Sequence, residues 1–166
     1  MQASNCTPAL IIGLGNNDPD YATTWHNAGF LMIDYLASLP GWQTALGKNG
    51  GYMNESGNDV KKLVKRHNVR AENLLVIHDD SDLALGDYRL SFDRGTAGHK
   101  GVLSVMTALG TGAFWRLRIG IRAPEFEHEK AEVFVLKKIS EKNAAVLQDT
   151  FVRAAASLLP KDSTTK

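Results

Sequence analysis

The sequence predicts a single α/β domain, a three-layer sandwich in which helices flank a mixed, largely parallel central sheet. Short apolar runs typical of buried strands alternate with longer stretches of helical periodicity, and this alternation favours parallel strands joined by helices. The length of 166 residues fits one domain. We expect this domain to cover residues 9–160, with short tails at 1–8 and 161–166.

The first half of the chain supplies one strand and two helices. A strand is predicted over 9–14, where an apolar run stops before the turn-forming residues Asn16–Pro19. Apolar residues at helical spacing predict a helix over 27–39, which a Pro-Gly pair terminates, and a second helix over 56–66. The glycine-rich segment 41–51 between these helices is expected to be irregular.

The second half supplies three strands and two helices. A buried apolar run predicts a strand over 74–77 that ends in an acidic loop at 78–82, and alternating residues predict another strand over 88–92. The remaining elements are a helix at 101–109, a half-exposed strand at 116–121 and an alanine-rich helix at 140–159.

The composition is that of a soluble globular protein, with 43% hydrophobic and 22% charged residues. No apolar run approaches the roughly 20 residues that span a bilayer, so no membrane partner is expected. A net charge of +1 excludes nucleic-acid binding through bulk charge, so an RNA role requires a local basic patch. The single cysteine, Cys6, and a start without a secretory signal favour a cytoplasmic location, or a mitochondrial one for a eukaryotic source.

Two polar segments follow predicted strands, and ligands gather at the carboxyl ends of parallel strands. The first segment ends in His26, just before a helix, and the second contains Asp79 directly after a strand. A carboxylate can orient an imidazole and stabilise its charged form, as in hydrolytic triads. Taken alone, His26 also fits a helix-capping or surface residue, and Asp79 also fits a cap or turn residue.

Several common site types are absent from the sequence. Gly13-Leu-Gly15 lacks the third glycine of a dinucleotide fingerprint, and neither a P-loop nor a GxSxG nucleophile motif occurs. No two of the five histidines stand at metal-ligand spacing. His78 with the acidic residues Asp79–Asp82 could hold a hard cation, although a solvated acidic loop explains the same pattern.

Five short motifs occur in order between residues 10 and 136. They are Gly13-Leu-Gly-Asn16 with Tyr21 and Thr24-Trp-His26-Asn-Ala-Gly-Phe30, then Tyr52-Met53-Asn54-Glu-Ser-Gly57, His78-Asp79-Asp-Ser-Asp82, Gly98-His99-Lys100-Gly101 and Arg116-Leu-Arg118-Ile-Gly-Ile121. Each motif is weak alone, but together they resemble the bacterial-type peptidyl-tRNA hydrolase family. The resemblance implies hydrolysis of the ester that joins a peptide to the terminal ribose of tRNA, recycling tRNA after premature release from the ribosome.

The resemblance also implies roles for individual residues. His26 matches the catalytic histidine and Asp79 its carboxylate partner, while Asn16 and Asn54 match amides that hold the peptide and stabilise charge on the carbonyl. The chemistry fits, because histidine can deprotonate water near neutral pH and an amide donates hydrogen bonds at any pH. The implied substrate-binding and tRNA-binding residues are Tyr21, Met53, Asn54, His99, Lys100 and Arg118. The family needs neither a metal nor an organic cofactor, and the expected partner of a monomeric protein is the acceptor stem and 3′ end of peptidyl-tRNA, not DNA.

The chain departs from the family pattern at several positions. Lys100 replaces an asparagine, Trp25 replaces an arginine, and Ser91 replaces the lysine that partners Arg118 on the acceptor-stem phosphate. The segment between the first helix and Met53 is about twenty residues shorter than in the family, and the helix that ends near 159 is also shortened. These departures leave open a catalytically weakened, RNA-binding or ribosome-associated paralogue, whereas retention of both asparagines, the histidine and the aspartate favours an active enzyme.

Overall fold

Five strands form one sheet in the computed structural model of the chain, which describes residues 6–159. The strands are β1 (Leu10–Gly13), β2 (Ala45–Lys48), β3 (Leu74–Ala84), β4 (Tyr88–Phe92) and β5 (Trp115–Arg122). Their order in the sheet is β2-β1-β3-β5-β4, and only β4 is antiparallel to its neighbour. The predicted mixed, largely parallel sheet is therefore confirmed.

Helices cover both faces of this sheet. They are α1 (Ala28–Ser38), α2 (Ser56–Arg66), α3 (Lys100–Leu109), the short α4 (Ala131–Phe134) and α5 (Glu141–Leu158). Leu75 and Ile77 of β3 pack into one core with α1 and α5, whereas Leu74 and Val76 pack into the other core with α2 and α3. This alternation follows from the two-residue period of a strand and confirms the three-layer sandwich.

Most predicted elements are found with their ends shifted by at most one residue. The predicted tails lie largely outside the described residues, and residues 6–8 belong to no helix or strand. No helix within 6–159 is long and apolar enough to cross a bilayer.

The segment expected to be irregular contains β2, so that prediction was wrong for Ala45–Lys48. This strand pairs in parallel with β1 from Leu10↔Ala45 to Gly13↔Lys48. Four residues that include a glycine carry too little periodicity to reveal a strand, and the pairing with β1 is what stabilises it.

The acidic cluster also lies in a strand and not in a loop, because β3 continues through it to Ala84. His78, Asp79 and Asp80 pair with successive residues of β5 and are buried. Successive side chains of a strand alternate between faces, so Asp79 points to the α1 side while His78 and Asp80 point to the α3 side.

The strand predicted to be half-exposed is buried from Trp115 to Ile121. Two of its arginines are covered because Arg118 pairs with Asp80 and Arg116 donates to the backbone carbonyls of Arg94 and Gly95. The alternation of charged and apolar residues in this strand therefore indicates one polar and one apolar face, and both faces are buried.

Candidate active site

Two histidines converge on one buried carboxylate at the carboxyl end of β3. His26 Nδ1 lies 2.8 Å from Asp79 Oδ2, and His99 Nε2 lies 2.9 Å from Asp79 Oδ1. The side chain of Asp79 is 3% exposed. Because an ionised carboxylate only accepts hydrogen bonds, both facing nitrogens carry protons and each carboxylate oxygen accepts one N–H.

His26 sits in the short 3-10 helix Trp25–Asn27 that leads directly into α1. Its backbone N–H donates to the carbonyl of Val135 over 2.8 Å, which ties it to the segment just after residues 131–134. Close packing of α1 on β1 brings the ring to Asp79, since a Cβ on Gly13 would overlap the Gly29 backbone. With Nδ1 held by Asp79, Nε2 is the nitrogen of His26 that remains free within the described part of the chain.

The contact between His26 and Asp79 shifts their pKa values in opposite directions. Burial alone would lower the pKa of His26, but the charge and hydrogen bond of Asp79 outweigh it and hold that pKa above its ordinary value, with Lys100 opposing. Burial would raise the pKa of Asp79, but the two histidines outweigh it and hold the pKa well below its usual range. The carboxylate is thus ionised and stabilises a charged His26 ring.

The second histidine is fixed by the first turn of α3. His99 is the N-cap of this helix, and its Nδ1 accepts a hydrogen bond from the backbone N–H of Val102 over 3.2 Å. Its side chain is 9% exposed and packs on the ring of His78, with 4.7 Å between ring centroids. Sequence reasoning identified His99 as a site residue but missed its bond to Asp79, because residues twenty positions apart give no local signal of contact.

His78 is buried and neutral beneath this pair. Burial lowers its pKa to about 3. Its Nδ1 donates to the Asp79 carbonyl over 2.7 Å, and its Nε2 has no hydrogen-bond partner among residues 6–159. Among residues 6–159, His78 and the acidic residues do not come together as a set of cation ligands, and Asp80 pairs with Arg118.

Asn16 is held so that its amide group has a defined orientation. Asn27 clamps its backbone, accepting from Asn16 N over 2.8 Å and donating to Asn16 O over 3.0 Å. Asn16 Oδ1 accepts from the backbone N–H of Met53 over 2.6 Å. The oxygen is therefore occupied, whereas Nδ2 makes no hydrogen bond to the described residues and is available as a donor.

Asn49, which the sequence analysis missed, buttresses the same loop. It is 1% exposed and makes paired hydrogen bonds with the backbone of Gly15, accepting over 2.9 Å and donating over 2.7 Å. These bonds join the carboxyl ends of β1 and β2 and so hold the loop that carries Asn16. The only available signal was an asparagine in a segment expected to be irregular.

The remaining predicted peptide-binding residues lie around this centre and not within it. Asn54 is exposed on the short 3-10 helix Met53–Glu55, while Met53 is 4% exposed and packs against Gly101. Tyr21 is half-buried at the end of another 3-10 helix. Asn54 lines a groove between α2 and α3 that Lys100 also lines.

A cavity of about 400 Å³ opens beside the paired histidines. His26, His99 and Lys100 line it together with an apolar wall from α4 and the residues after it, Ala131, Val135 and Leu136. Leu136 is 48% exposed, so this wall is open to solvent. No pattern in the sequence predicted an element at Ala131–Phe134, so the wall was missed.

Arg118 lies at the edge of this region but is buried. Its Nε donates to Asp80 Oδ2 over 2.7 Å, and its side chain is 8% exposed. The other guanidinium nitrogens make no hydrogen bond to the described residues. Any contact with an anion must therefore come through these two terminal nitrogens.

His26, Asp79 and His99 offer ligand atoms within 4.8 Å of one another, closer than any pattern in the sequence suggested. Their hydrogen bonds oppose metal binding, however. Val102 N–H keeps a lone pair at His99 Nδ1 and thus a proton at Nε2, the nitrogen that a metal would need. The arrangement is suited to proton transfer by His26 instead.

Comparison with known proteins places this geometry in a family. The sequence model of the peptidyl-tRNA hydrolase family matches residues 10–49 and 39–164, two stretches that overlap at 39–49. The peptidyl-tRNA hydrolase of Mycobacterium bovis BCG is 38% identical over 168 residues, covering 89% of this chain and 87% of the relative. That of Mycolicibacterium vanbaalenii is 38% identical over 153 residues, covering 80% and 79%.

Solved structures agree with the sequence comparison. The crystal structure of peptidyl-tRNA hydrolase from Acinetobacter baumannii matches with a TM-score of 0.78 at 29% identity, covering 94% of this chain and 88% of that one. An endopeptidase of Escherichia coli, HycI, matches with a TM-score of 0.55 at 16% identity, covering 87% and 86%, which shows a shared fold alone. The family match, the relatives and the arrangement of the five motifs lead to one conclusion: this chain is a member of the peptidyl-tRNA hydrolase family.

Proposed function

We propose that this chain hydrolyses the ester between peptide and tRNA, with His26 as the general base. The observation that carries the proposal is the His26–Asp79 pair, in which a buried carboxylate holds Nδ1 and leaves Nε2 free beside a cavity. The peptidyl-tRNA hydrolases similar to this chain supply the substrate class. The chain would act as a cytoplasmic monomer. Its role would be to recycle tRNA from peptidyl-tRNA that leaves the ribosome prematurely.

The geometry supports a simple reaction. Nε2 of His26 takes a proton from water as the water oxygen attacks the ester carbonyl, and Asp79 stabilises the resulting imidazolium. The Nδ2 of Asn16 donates to the negative charge that develops on the carbonyl oxygen. As the tetrahedral intermediate collapses, the imidazolium returns its proton to the departing ribose oxygen, which restores neutral His26 and completes the cycle.

The substrate contacts are proposed from the positions of the surrounding residues. Asn54, exposed at the start of α2, would hold the peptide backbone, with Tyr21 and the buried Met53 shaping the channel beside it. Lys100 is exposed and lines both the main cavity and the groove that contains Asn54. A cation there suits a phosphate near the 3′ end of tRNA, and lysine can donate where the family's asparagine would both donate and accept.

The weakened paralogue gains no support from the site. A paralogue that no longer catalyses the reaction has no need to keep the buried carboxylate, the free imidazole nitrogen and the clamped Asn16 amide. All three are retained in this chain, despite the shortened segment and Lys100.

Turnover of a mixed pool of peptidyl-tRNAs is the experiment that tests this function. We expect release of deacylated tRNA and free peptide from many peptide sequences, because the proposed contacts reach the ester, the peptide backbone and the acceptor end. A matched pool of aminoacyl-tRNAs, whose amino groups are free, measures how well the chain discriminates against tRNA that carries an amino acid and no peptide. Tight tRNA binding without any ester cleavage would make the non-catalytic paralogue the better account.

Arg118 is proposed to contact the acceptor-stem phosphate through its terminal nitrogens, and this role has to be separated from its structural one. Arg118→Ala leaves Asp80 buried without its counter-charge, so we expect the free energy of unfolding to fall by about 3–5 kcal/mol. The double variant Asp80→Asn/Arg118→Gln removes both charges and should recover most of that loss. In the double variant, tRNA affinity should fall for all tRNA species alike, and the slope of log affinity against log salt should decrease by about one. Normal affinity and slope would mean that Arg118 only braces the sheet.

A further inference from the structure

We propose that His99 is a positioning residue that holds Asp79 for the base His26, and not an RNA-binding residue. The inference rests on the proposed function and deepens it by assigning a second imidazole to the catalytic pair. It replaces the role that the sequence resemblance implied for His99.

Both ring nitrogens of His99 are already engaged within the protein. Nε2 donates to Asp79 Oδ1 over 2.9 Å and Nδ1 accepts from Val102 N over 3.2 Å. The side chain is 9% exposed. No nitrogen is therefore left for a phosphate, ribose or base of tRNA.

The first turn of α3 determines which nitrogen of His99 carries the proton. A backbone N–H can only donate, so Val102 requires a lone pair at Nδ1 and places the proton at Nε2 of a neutral ring. That proton is the one offered to Asp79. The N-terminus of α3 thus fixes a neutral donor on the carboxylate.

The hydrogen bond from His99 weakens the electrostatic attraction between Asp79 and a protonated His26. With His99 in place, each carboxylate oxygen accepts one N–H and the charge is shared between two rings. Without it, Oδ1 would be a buried acceptor with no partner, and the carboxylate would attract the imidazolium of His26 more strongly. Loss of the donor should therefore raise the pKa of His26 and allow Asp79 to rotate.

Other groups around the pair bear on the sign of this effect. They are Lys100 on α3, Glu132 on α4, His78 and Asp80 on β3, and Arg116 and Arg118 on β5. Lys100 lowers the pKa of His26, His78 is neutral, and Asp80 is paired with Arg118. His78 packs on His99, but burial is the largest cause of its lowered pKa and should keep it neutral in the variants, so the shift should report the lost donor.

Two substitutions separate the contacts of His99. In His99→Asn, the side-chain oxygen can take the place of Nδ1 as the N-cap acceptor, which asparagine does well, but the donor to Asp79 is lost. In His99→Gln, the amide nitrogen can reach the position of Nε2 and keep the donor, while the cap is lost. The pair therefore contrasts the Asp79 bond with the helix cap.

We expect His99→Asn to lower the unfolding temperature, because Asp79 Oδ1 loses its donor, to lower kcat by about ten-fold and to move the acid limb of kcat/KM to higher pH. His99→Gln should retain the wild-type pH profile, with a lower unfolding temperature. The tRNA dissociation constant and its salt dependence should be unchanged in both variants. If instead tRNA affinity falls while the pH profile stays constant, His99 is an RNA contact and the proposal is wrong.

A measurement independent of turnover distinguishes this proposal from the proposed function. The pKa of His26, followed by NMR titration of its ring signals, should rise in His99→Asn relative to wild type and to His99→Gln. If the wild-type protein is inactive but the pKa of His26 rises in His99→Asn, the proposed function is wrong and the positioning role of His99 stands. If the wild-type protein is active but the pKa of His26 does not rise in His99→Asn, the function stands and the positioning role is wrong.

Discussion

His26→Ala is expected to lower turnover of peptidyl-tRNA by about 10²–10⁴-fold, the usual contribution of a positioned general base. The ring is the group beside the cavity that can accept a proton from water, since Asp79 holds Nδ1 and leaves Nε2 free. The tRNA affinity should change little, because the proposed phosphate contacts come from Lys100 and Arg118. Single-turnover kinetics with saturating enzyme measure the chemical step, and a filter-binding assay measures affinity separately.

A matched control is His128→Ala, which removes an imidazole whose side chain is 92% exposed. It should leave turnover unchanged. The wild-type pH profile provides a second check: because the pKa of His26 is raised above its ordinary value, kcat/KM should fall as the pH drops through that raised pKa. Near-normal turnover of His26→Ala would remove His26 from the mechanism.

The pairing of His26 with Asp79 could be predicted from sequence because both residues lie in distinctive motifs at the ends of strands. The ordered motifs indicated His26 and Asp79, and the parallel sheet brought the two segments together as such sheets do. The fold was predictable for the same reason, since α1, α2 and the central strands carry clear periodicity. What local patterns supplied was the identity of the residues and the edge of the sheet at which they meet.

The parts that escaped prediction depend on contacts between distant segments. Asn49 acts through the backbone of Gly15, 34 residues away, and β2 exists because β1 offers it an edge. Arg116 and Arg118 of β5 alternate with apolar residues as on a solvated strand, yet Asp80 and the carbonyls of Arg94 and Gly95 cover them. Such partners are fixed by packing, so no property of the local sequence reveals them.

Asp79→Asn is expected to lower turnover by about 10³–10⁴-fold, because the substitution forces a wrong proton arrangement on His26. An amide offers one oxygen acceptor, whereas the carboxylate serves two imidazole N–H donors. His99 has no freedom to adapt, since Val102 N–H fixes its proton at Nε2. The amide oxygen should therefore face His99 and the amide nitrogen should face His26.

An amide N–H opposite His26 requires a lone pair at Nδ1 and moves the ring proton to Nε2, the position that must accept a proton from water. A comparable tautomer defect lowers kcat by about 10⁴ in serine proteases. Residual activity should have its acid limb at lower pH, because the negative charge that raises the pKa of His26 is gone.

The double variant Asp79→Asn/His99→Gln tests this explanation, since a glutamine can present its oxygen to the new amide and release the amide oxygen to His26. We expect partial recovery of turnover there. An unchanged rate in Asp79→Asn would mean that the carboxylate supports the fold and does not orient the base.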